Sequence, residues 1–441
     1  MKKTIFTIAM LAMTGVAFAQ KSDNDRMLDR FLSYVRIGSQ SIDTTDDIFF
    51  LTDGQRQVAT MIYNEIKAIK GVEVKMSPDY YVYAKVPSNM KKQVPSVAFM
   101  AHLDNTPEAP GPNNGRQIHP CVHLNYDGGD IVLNDEIVLS PNSPQGAHLK
   151  DLIGKTIVTS DGTTLLGADC KAGCAILVTL IEKLASNKEF KHGDVYFFFT
   201  QNEEVGKVAM RIDLGYIDKV PEILIDVDGN DNGQFSVANF TAENRTYLFK
   251  GNQAHSSNGK VLGYADARTA MAYFIAQLPL EVHPSNSEGM QGYVHCFDVA
   301  EMDNMQDWRL QFRLRYFDKA DSVTYSGYMN KAICKTRTAF PKVGIEMTDC
   351  FIQYDNIANS MYSGLPEIII AAAEKSGIPL NPTYLRAGTT CALMVAKGLP
   401  GGPCIYGGQQ AVHSVYEWCC IEELVELTEL CHEIVSQLTK I

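Results

Sequence analysis

Short apolar runs of strand length alternate with helix-like segments in the first half of this chain, and that alternation constrains its fold more than any other feature. The runs YYVYAKVP, SVAFMAHLD, DVYFFFTQ and EILIDVDG are rich in β-branched and aromatic residues. The segment KAGCAILVTLIEKLA has the apolar content of a helix that packs on a sheet, and residues 23–70 have helical spacing. The pattern predicts an α/β domain with a mainly parallel sheet.

A second pattern begins near Glu243 and ends near Phe351. Its segments follow the order β-α-β-β-α-β, which is the ferredoxin-like arrangement, and the run WRLQFRLRYF alternates apolar and polar residues almost strictly. The α/β pattern then resumes and ends with the amphipathic helix IEELVELTELCHEIVSQL. We therefore predict an α/β catalytic domain, residues 20–242 and 353–441, into which a small α+β domain, residues 243–352, is inserted.

The N-terminus has the pattern of a cleaved secretory signal. Two lysines precede a mostly apolar stretch from Ile5 to Val16, and small residues lead up to Ala19. This stretch is too short to span a bilayer as a stable helix. The sequence predicts a signal peptide of residues 1–19, cleavage after Ala19, and a secreted or periplasmic protein.

Charge and cysteine content exclude some classes of partner and site. The net charge is -12 and no basic stripe is present, which argues against nucleic acid or an anionic membrane as a partner. The eleven cysteines are odd in number and lack the paired C-x-x-C spacing of zinc motifs. Most of them are predicted to be small core residues.

Side chains that can bind metals follow several of the predicted strands. In open α/β sheets, ligands bind beyond the carboxyl ends of the strands. The candidates are His102, Asp104, Asp169, Glu203, Glu204, Asp226, Asp228 and, after a Gly-Gly turn, His413. Each one alone is compatible with a helix cap, a core histidine or a solvated acidic pair. Together at one edge, without a cation, they would suffer repulsion and desolvation, so we predict a site for two divalent cations.

The ligand types and the adjacent acids indicate which chemistry such a site performs. Imidazole and carboxylate ligands suit Zn²⁺. Two metals roughly 3.5–4 Å apart can activate a shared water as the nucleophile. One of the adjacent acids can then remain unligated, take a proton from that water and pass it to the leaving amine.

Five motifs together carry a family resemblance. They are AHLDNTP, TTLLGADCKAG, TQNEEVGK, DVDG and HSVYEW. As an ensemble they resemble the peptidase T (tripeptide aminopeptidase) branch of the co-catalytic di-zinc metallopeptidases, which also include related carboxypeptidases and aminoacylases. The resemblance implies a zinc-exopeptidase-like three-layer catalytic domain with an inserted ferredoxin-like lid and dimerisation domain. It also implies a homodimer that hydrolyses the N-terminal peptide bond of short peptides, chiefly tripeptides.

The resemblance also assigns roles to the metal-site residues. His102 and Asp228 would hold one zinc, Glu204 and His413 would hold the other, and Asp169 would bridge the two. Glu203 would be the general base and acid, and Asp104 would orient His102. The resemblance favours Asp228, which directly precedes a glycine, over Asp226. Two Zn²⁺ per subunit are implied, for which Co²⁺ or Mn²⁺ could substitute.

Three further residues are implied to contact the substrate. His255, in GNQAHSS, would stabilise the oxyanion from its own or the partner subunit, and Arg315 and Arg386 would grip the substrate carboxylate through their planar guanidinium groups. The chain departs from the peptidase T pattern at Thr390, where an acid is expected, and in a loop before His413 that is one residue longer. Both departures are expected to lie in the substrate pocket.

Two other functional classes remain open at this stage. One is a non-catalytic binding protein on the same scaffold, against which the presence of the expected base and all five ligands speaks. The other is a di-zinc amidohydrolase, dipeptidase or carboxypeptidase that acts on other small peptides or on N-acyl amino acids.

Overall fold

The computed structural model describes residues 21–45, 48–112, 116–230 and 232–441. The predicted signal peptide lies outside the described residues. Helices run over α1 (Asp23–Val35), α2 (Asp53–Lys67), α3 (Ala168–Ser186), α4 (Ala267–Ala276), α5 (Lys319–Ala339), α6 (Leu365–Ser376), α7 (Thr390–Val395) and α8 (Ile421–Leu438). Strands run over β1 (Glu73–Met76), β2 (Val82–Val86), β3 (Val97–His102), β4 (Cys121–His123), β5 (Ile131–Val132), β6 (Val138–Leu139), β7 (Ile157–Thr159), β8 (Val195–Thr200), β9 (Ile223–Gly229), β10 (Gln234–Asn239), β11 (Thr241–Lys250), β12 (Tyr293–Glu301), β13 (Trp308–Tyr316), β14 (Gly344–Tyr354), β15 (Asn381–Leu385), β16 (Cys404–Tyr406), β17 (Gln409–Gln410) and β18 (Trp418–Cys420).

A large mixed sheet, with strand order β1-β2-β8-β3-β9-β16-β10-β15, forms the centre of the catalytic domain. Strands β8, β3, β9 and β16 are parallel to one another, and antiparallel strands flank them on both sides. Because side chains alternate along a strand, Phe197 and Phe199 pack with helices α1, α3 and α8, whereas Tyr196 and Phe198 pack on the opposite face with α7. The predicted α/β architecture with covered faces is confirmed.

The inserted region forms a second, smaller sheet, the lid sheet, with strand order β12-β13-β11-β14 and antiparallel pairing throughout. Helices α4 and α5 cover one face, so the order of elements is the ferredoxin-like one that was expected from the sequence. The apolar positions Leu310, Phe312 and Leu314 of β13 are fully buried under these helices. Strand β11 begins, and strand β14 ends, within two residues of the predicted limits of the inserted domain. The limits themselves remain predictions.

The described part of the chain includes all eleven cysteines, and each has a free thiol, six of them buried. No helix in that part combines the length and the apolar character that a membrane crossing requires.

Candidate active site

Neighbouring strands of the large sheet deliver the predicted site residues to one edge. β3 ends at His102, Glu203 and Glu204 follow the end of β8, and β9 carries Asp226 and Asp228. Since β8, β3 and β9 are parallel neighbours, their carboxyl ends lie side by side. The sheet therefore brings these residues together by its topology alone.

Two loop segments complete the site. Asp169 is the second residue of α3 and lies two positions after Gly167, whose φ of 82° gives the turn that leads from the loop into the helix. His413 lies in the loop between β17 and β18, and its own φ is 57°. Both residues face the strand ends, and the five side chains His102, Asp169, Glu204, Asp228 and His413 are referred to below as the acid–histidine cluster.

Asp169 lies between the two histidines of the acid–histidine cluster. Its Oδ1 is 3.0 Å from Nε2 of His102, and its Oδ2 is 3.5 Å from Nε2 of His413. Nε2 of His102 is also 3.6 Å from Oδ1 of Asp228, and Nε2 of His413 is 2.9 Å from Oε2 of Glu204. Each histidine thus has its own carboxylate partner, and Asp169 is shared.

The second nitrogen of each histidine ring is also bonded. Nδ1 of His102 lies 3.0 Å from the carbonyl oxygen of Asp104, with the carboxylate of the same residue at 3.5 Å. Nδ1 of His413 lies 2.9 Å from Oε2 of Glu108. These contacts direct both Nε2 atoms towards Asp169. Glu108 was not predicted; the only signal in the sequence is an acid four residues after Asp104 in the same loop.

Asp104 also aligns the two adjacent glutamates. It is fully buried, and its carboxylate accepts hydrogen bonds from the backbone nitrogens of Glu203 at 3.1 Å and Glu204 at 3.2 Å. One carboxylate therefore contacts His102 and fixes the backbone of both acids. The residue expected to orient His102 has this wider structural role.

A second buried carboxylate, which the sequence did not reveal, supports Asp169 from behind. Glu417 accepts hydrogen bonds from the backbone nitrogens of Gly167 at 2.6 Å and Asp169 at 2.9 Å. Burial raises the pKa of Glu417 to about 7, although these hydrogen bonds favour its charged form. Its position four residues after His413, in HSVYEW, is the only signal that could have identified it.

Electrostatics separate Asp169 from the other acids of the site. Hydrogen bonds from His102 and His413 outweigh burial and hold the pKa of Asp169 below its ordinary value. Burial, reinforced by the charge of Asp169, raises the pKa of Glu204 to about 8 and that of Asp228 to about 7. These carboxylates therefore lie in surroundings that contain too little positive charge to keep all of them ionised.

The donor set fits divalent metals. Ligand atoms of His102, Asp169 and Glu204 lie within 4.8 Å of one another. Oε1 of Glu204 is buried and has no hydrogen-bond partner among the described residues, which is costly unless a cation binds there. Cys170 also lies near His102 and Asp228, but its thiol donates to the carbonyl of Val227 at 3.1 Å, and burial raises its pKa well above the ordinary value. The cysteine is thus a poor ligand.

Among the described residues, no hydrogen bond or ion pair joins the Glu203 side chain to either histidine. Its Oε1 accepts a hydrogen bond from the hydroxyl of Thr390 at 2.5 Å, and within the described residues no hydrogen bond reaches Oε2. Asp226, the alternative to Asp228, has no hydrogen bond or ion pair with His102.

The three predicted substrate-binding residues are not joined to the acid–histidine cluster by any hydrogen bond or ion pair among the described residues. His255 is exposed and its Nδ1 lies 2.7 Å from Oγ of Ser257. Arg315 is buried and donates to the backbone carbonyl of Leu314 at 3.0 Å. Arg386 donates to the carbonyls of Gly289 at 2.6 Å and Gln291 at 2.8 Å. Each is bonded within its own neighbourhood.

Comparisons with known proteins point to one family and one fold. The family model described as Peptidase family M20/M25/M40 matches residues 161–437. Peptidase T of Geobacillus sp. (strain WCH70) is 32% identical over 419 residues, which cover 93% of this chain and 98% of that protein. The solved structure of aminopeptidase PepT from Bacillus cereus ATCC 10987 has a TM-score of 0.67 at 19% identity, covering 94% of this chain and 99% of that one. The Bacillus subtilis YXEP protein, described as a dinuclear metal binding peptidase from the M20 family, has the same fold, with a TM-score of 0.61 at 14% identity, covering 95% of this chain and 99% of that one.

The prediction of a secreted or periplasmic location is wrong. The peptidase T relatives, which match along nearly their full length, are intracellular enzymes. The prediction of a signal peptide used only the order of charged, apolar and small residues over positions 1–19. Such an order describes local hydropathy, and the residues that carry it lie outside the described part of the chain.

Proposed function

Because the chain belongs to the peptidase family M20/M25/M40 and resembles peptidase T over nearly its whole length, we propose that it is a di-zinc aminopeptidase that cleaves the N-terminal bond of tripeptides. Membership of this family shows that the chain is a metallopeptidase. The observation that best supports the site is Asp169, whose two oxygens each face one histidine.

The acid–histidine cluster is the proposed metal site. In our proposal His102 and Asp228 would hold one ion, Glu204 and His413 would hold the other, and Asp169 would be a ligand of both. The unpartnered Oε1 of Glu204 and the raised pKa values of Glu204 and Asp228 support a pair of divalent cations, and the mixed imidazole and carboxylate donors favour zinc. When bound, the metal pair supplies Lewis acidity and lowers the pKa of a water molecule.

Glu203 is the proposed proton carrier. Its Oε2, which accepts no hydrogen bond from the described residues, can take a proton from the attacking water and return it to the leaving amine. Asp104 holds the backbone of Glu203, so the carboxylate is fixed at its base by one contact and at Oε1 by another. Neither contact occupies the oxygen that receives the proton.

The predicted contacts with the substrate form the last part of the proposal. His255 is exposed, so it is free to enter the site of a partner subunit in a homodimer, where it would stabilise the oxyanion. Arg315 and Arg386 would bind the substrate carboxylate after exchanging their present carbonyl acceptors for it.

Three forms of one peptide test this function against an amidohydrolase or a carboxypeptidase. A free tripeptide, its N-acetylated form and its C-amidated form are assayed with the metal-loaded enzyme and after chelation. We expect the free tripeptide to lose its N-terminal residue, the N-acetylated form to resist, and chelation to abolish turnover until Zn²⁺, Co²⁺ or Mn²⁺ is restored. Release of the acetyl group or of the C-terminal residue, or full activity without metal, would refute the proposal.

A further inference from the structure

The hydroxyl of Thr390 and the carboxylate of Glu203 are far apart in sequence but in contact in the fold. The two residues are separated by 187 positions, and Oγ1 of Thr390 lies 2.5 Å from Oε1 of Glu203. This is the short end of the range for a hydroxyl that donates to a carboxylate, about 2.5–2.7 Å. It is also the only hydrogen bond to the Glu203 side chain within the described residues.

The position of Thr390 is fixed by its surroundings. Thr390 is the first residue of α7, is only 5% exposed, and follows Thr389, whose side chain caps the helix by accepting from the nitrogen of Ala392. Cys391, Ala392 and Met394 of the same helix are fully buried against one face of the large sheet. Threonine is also stiff at χ1 because it is branched at Cβ. The burial of these side chains, and not the cap, therefore holds the hydroxyl in place before any substrate binds.

We propose that Thr390 is a positioning residue for Glu203, and that it acts by holding Oε1 so that Oε2 faces the reacting water. This inference rests on the proposed role of Glu203 as the proton carrier. It changes the interpretation of the RAGTTC departure: the threonine contacts the base, whereas the sequence suggested a change in the substrate pocket. An acid at this position would bring a second carboxylate against Glu203, whereas a neutral hydroxyl donates to it without that repulsion.

Three substitutions at position 390 separate the hydroxyl from the shape of the side chain. Thr390→Val keeps the shape and removes the donor, Thr390→Ser keeps the donor, and Thr390→Asp introduces the acid. We expect Thr390→Val to lower kcat for a tripeptide by about tenfold or more, because a hydrogen bond to a charged group is lost, with KM changed less than about twofold. Thr390→Ser should remain within about threefold of the wild type, and Thr390→Asp should fall at least as far as Thr390→Val.

Two controls distinguish positioning from a general loosening of α7. Thr389→Val removes the helix cap beside Thr390 and should lower Tm while kcat stays near the wild-type value. Thr390→Val should keep the wild-type Tm and metal content. If Thr389→Val reproduces the loss of kcat, or if Thr390→Ser is as slow as Thr390→Val, the inference is wrong.

A double-substitution cycle tests whether the effect passes through Glu203. In a Glu203→Gln background the added Thr390→Val should cause no further loss of kcat, because the group that the hydroxyl positions is already gone. An equal further loss would show that Thr390 acts elsewhere and would overturn the inference. Failure of the proposed function looks different: the wild-type enzyme itself would not cleave the tripeptide, or Glu203→Gln alone would leave kcat unchanged.

Discussion

Carboxylates in the two sheets of this protein lie in opposite electrostatic surroundings. In the lid sheet, Glu243 accepts hydrogen bonds from Arg245 at 2.6 Å, Ser322 at 2.8 Å and Tyr316 at 2.9 Å. These donors outweigh burial and lower the pKa of Glu243. At the edge of the large sheet, burial and the charge of a neighbouring acid raise the pKa of Glu204 to about 8.

The difference shows what each region is built for. The lid carboxylate is satisfied by the chain's own cation and hydroxyls, so it stabilises the folded lid and needs nothing more. The acid–histidine cluster contains three carboxylates but only two histidines. One oxygen of Glu204 has no hydrogen-bond partner among the described residues. A site in this state is completed only by added positive charge, which is the physical case for its metals.

The largest expected effect comes from the adjacent glutamates, to which the proposed function gives different roles. Glu204→Gln removes a proposed metal ligand, so we expect loss of bound metal and a fall in kcat/KM of about 10³-fold or more. Glu203→Gln removes only the proton carrier, so kcat should fall by about 10²-fold or more while metal content and Tm are kept. Metal analysis after dialysis, beside steady-state kinetics, measures both.

Glu189→Gln, at an exposed acid away from the site, is the matched control and should change neither quantity. If Glu203→Gln releases metal and Glu204→Gln retains it, the roles of the two acids are reversed. If both variants keep metal and activity, the acid–histidine cluster is not the catalytic site.

The fold and the convergence of the acid–histidine cluster were predictable because they depend on short-range patterns. Apolar runs of strand length predicted β3, β8 and β9. Parallel neighbouring strands place their carboxyl ends side by side, so His102 and Asp228 are expected to lie close together. The contacts of Glu108 and Thr390 were not predicted, because their partners, His413 and Glu203, lie 305 and 187 residues away in the sequence. Local sequence periodicity does not determine which distant side chains come into contact.

The residues predicted to bind substrate show a further limit of sequence reasoning. Arg386 was expected to grip a substrate, yet it donates to carbonyls of Gly289 and Gln291 and lies over the ring of Phe240. A guanidinium group has five donors and binds whichever acceptors are near, so its partner depends on the position of the lid. The sequence specifies the residue type, but the acceptor depends on how the domains are placed.

A smaller effect is expected at His255, whose proposed role lies in the active site of the partner subunit. His255→Ala should lower kcat by about 10- to 100-fold with metal content unchanged, since its role is proposed to be electrostatic in the transition state. Random re-pairing of Glu203→Gln chains with His255→Ala chains should restore about a quarter of wild-type activity if His255 acts across a dimer interface. His283→Ala, at another lid histidine, is the control. A monomer in which His255→Ala is fully active would remove His255 from the site.

The smallest expected effect concerns Glu243, the lid carboxylate that was compared above with the acids at the edge of the large sheet. Its folded pKa lies below the unfolded value of about 4.3, so its stabilising contribution is complete above that value and is lost as the pH falls through the folded pKa. Glu243→Gln leaves the buried Arg245 without its counter-charge and should reduce the free energy of unfolding by about 1.5 kcal/mol at pH 7.

The difference between wild type and Glu243→Gln should therefore be constant from pH 7 to about pH 5 and shrink below about pH 4. Urea unfolding of both proteins across that range, followed by a probe in the lid, measures it. Glu346→Gln is the matched control, since its partner Lys250 is on the same sheet but both side chains are about half exposed, and its unfolding curve should match the wild type. A difference that persists unchanged to pH 3.5 would mean that Glu243 stabilises the lid through shape and not through charge, and the contrast between the two sheets would no longer be electrostatic.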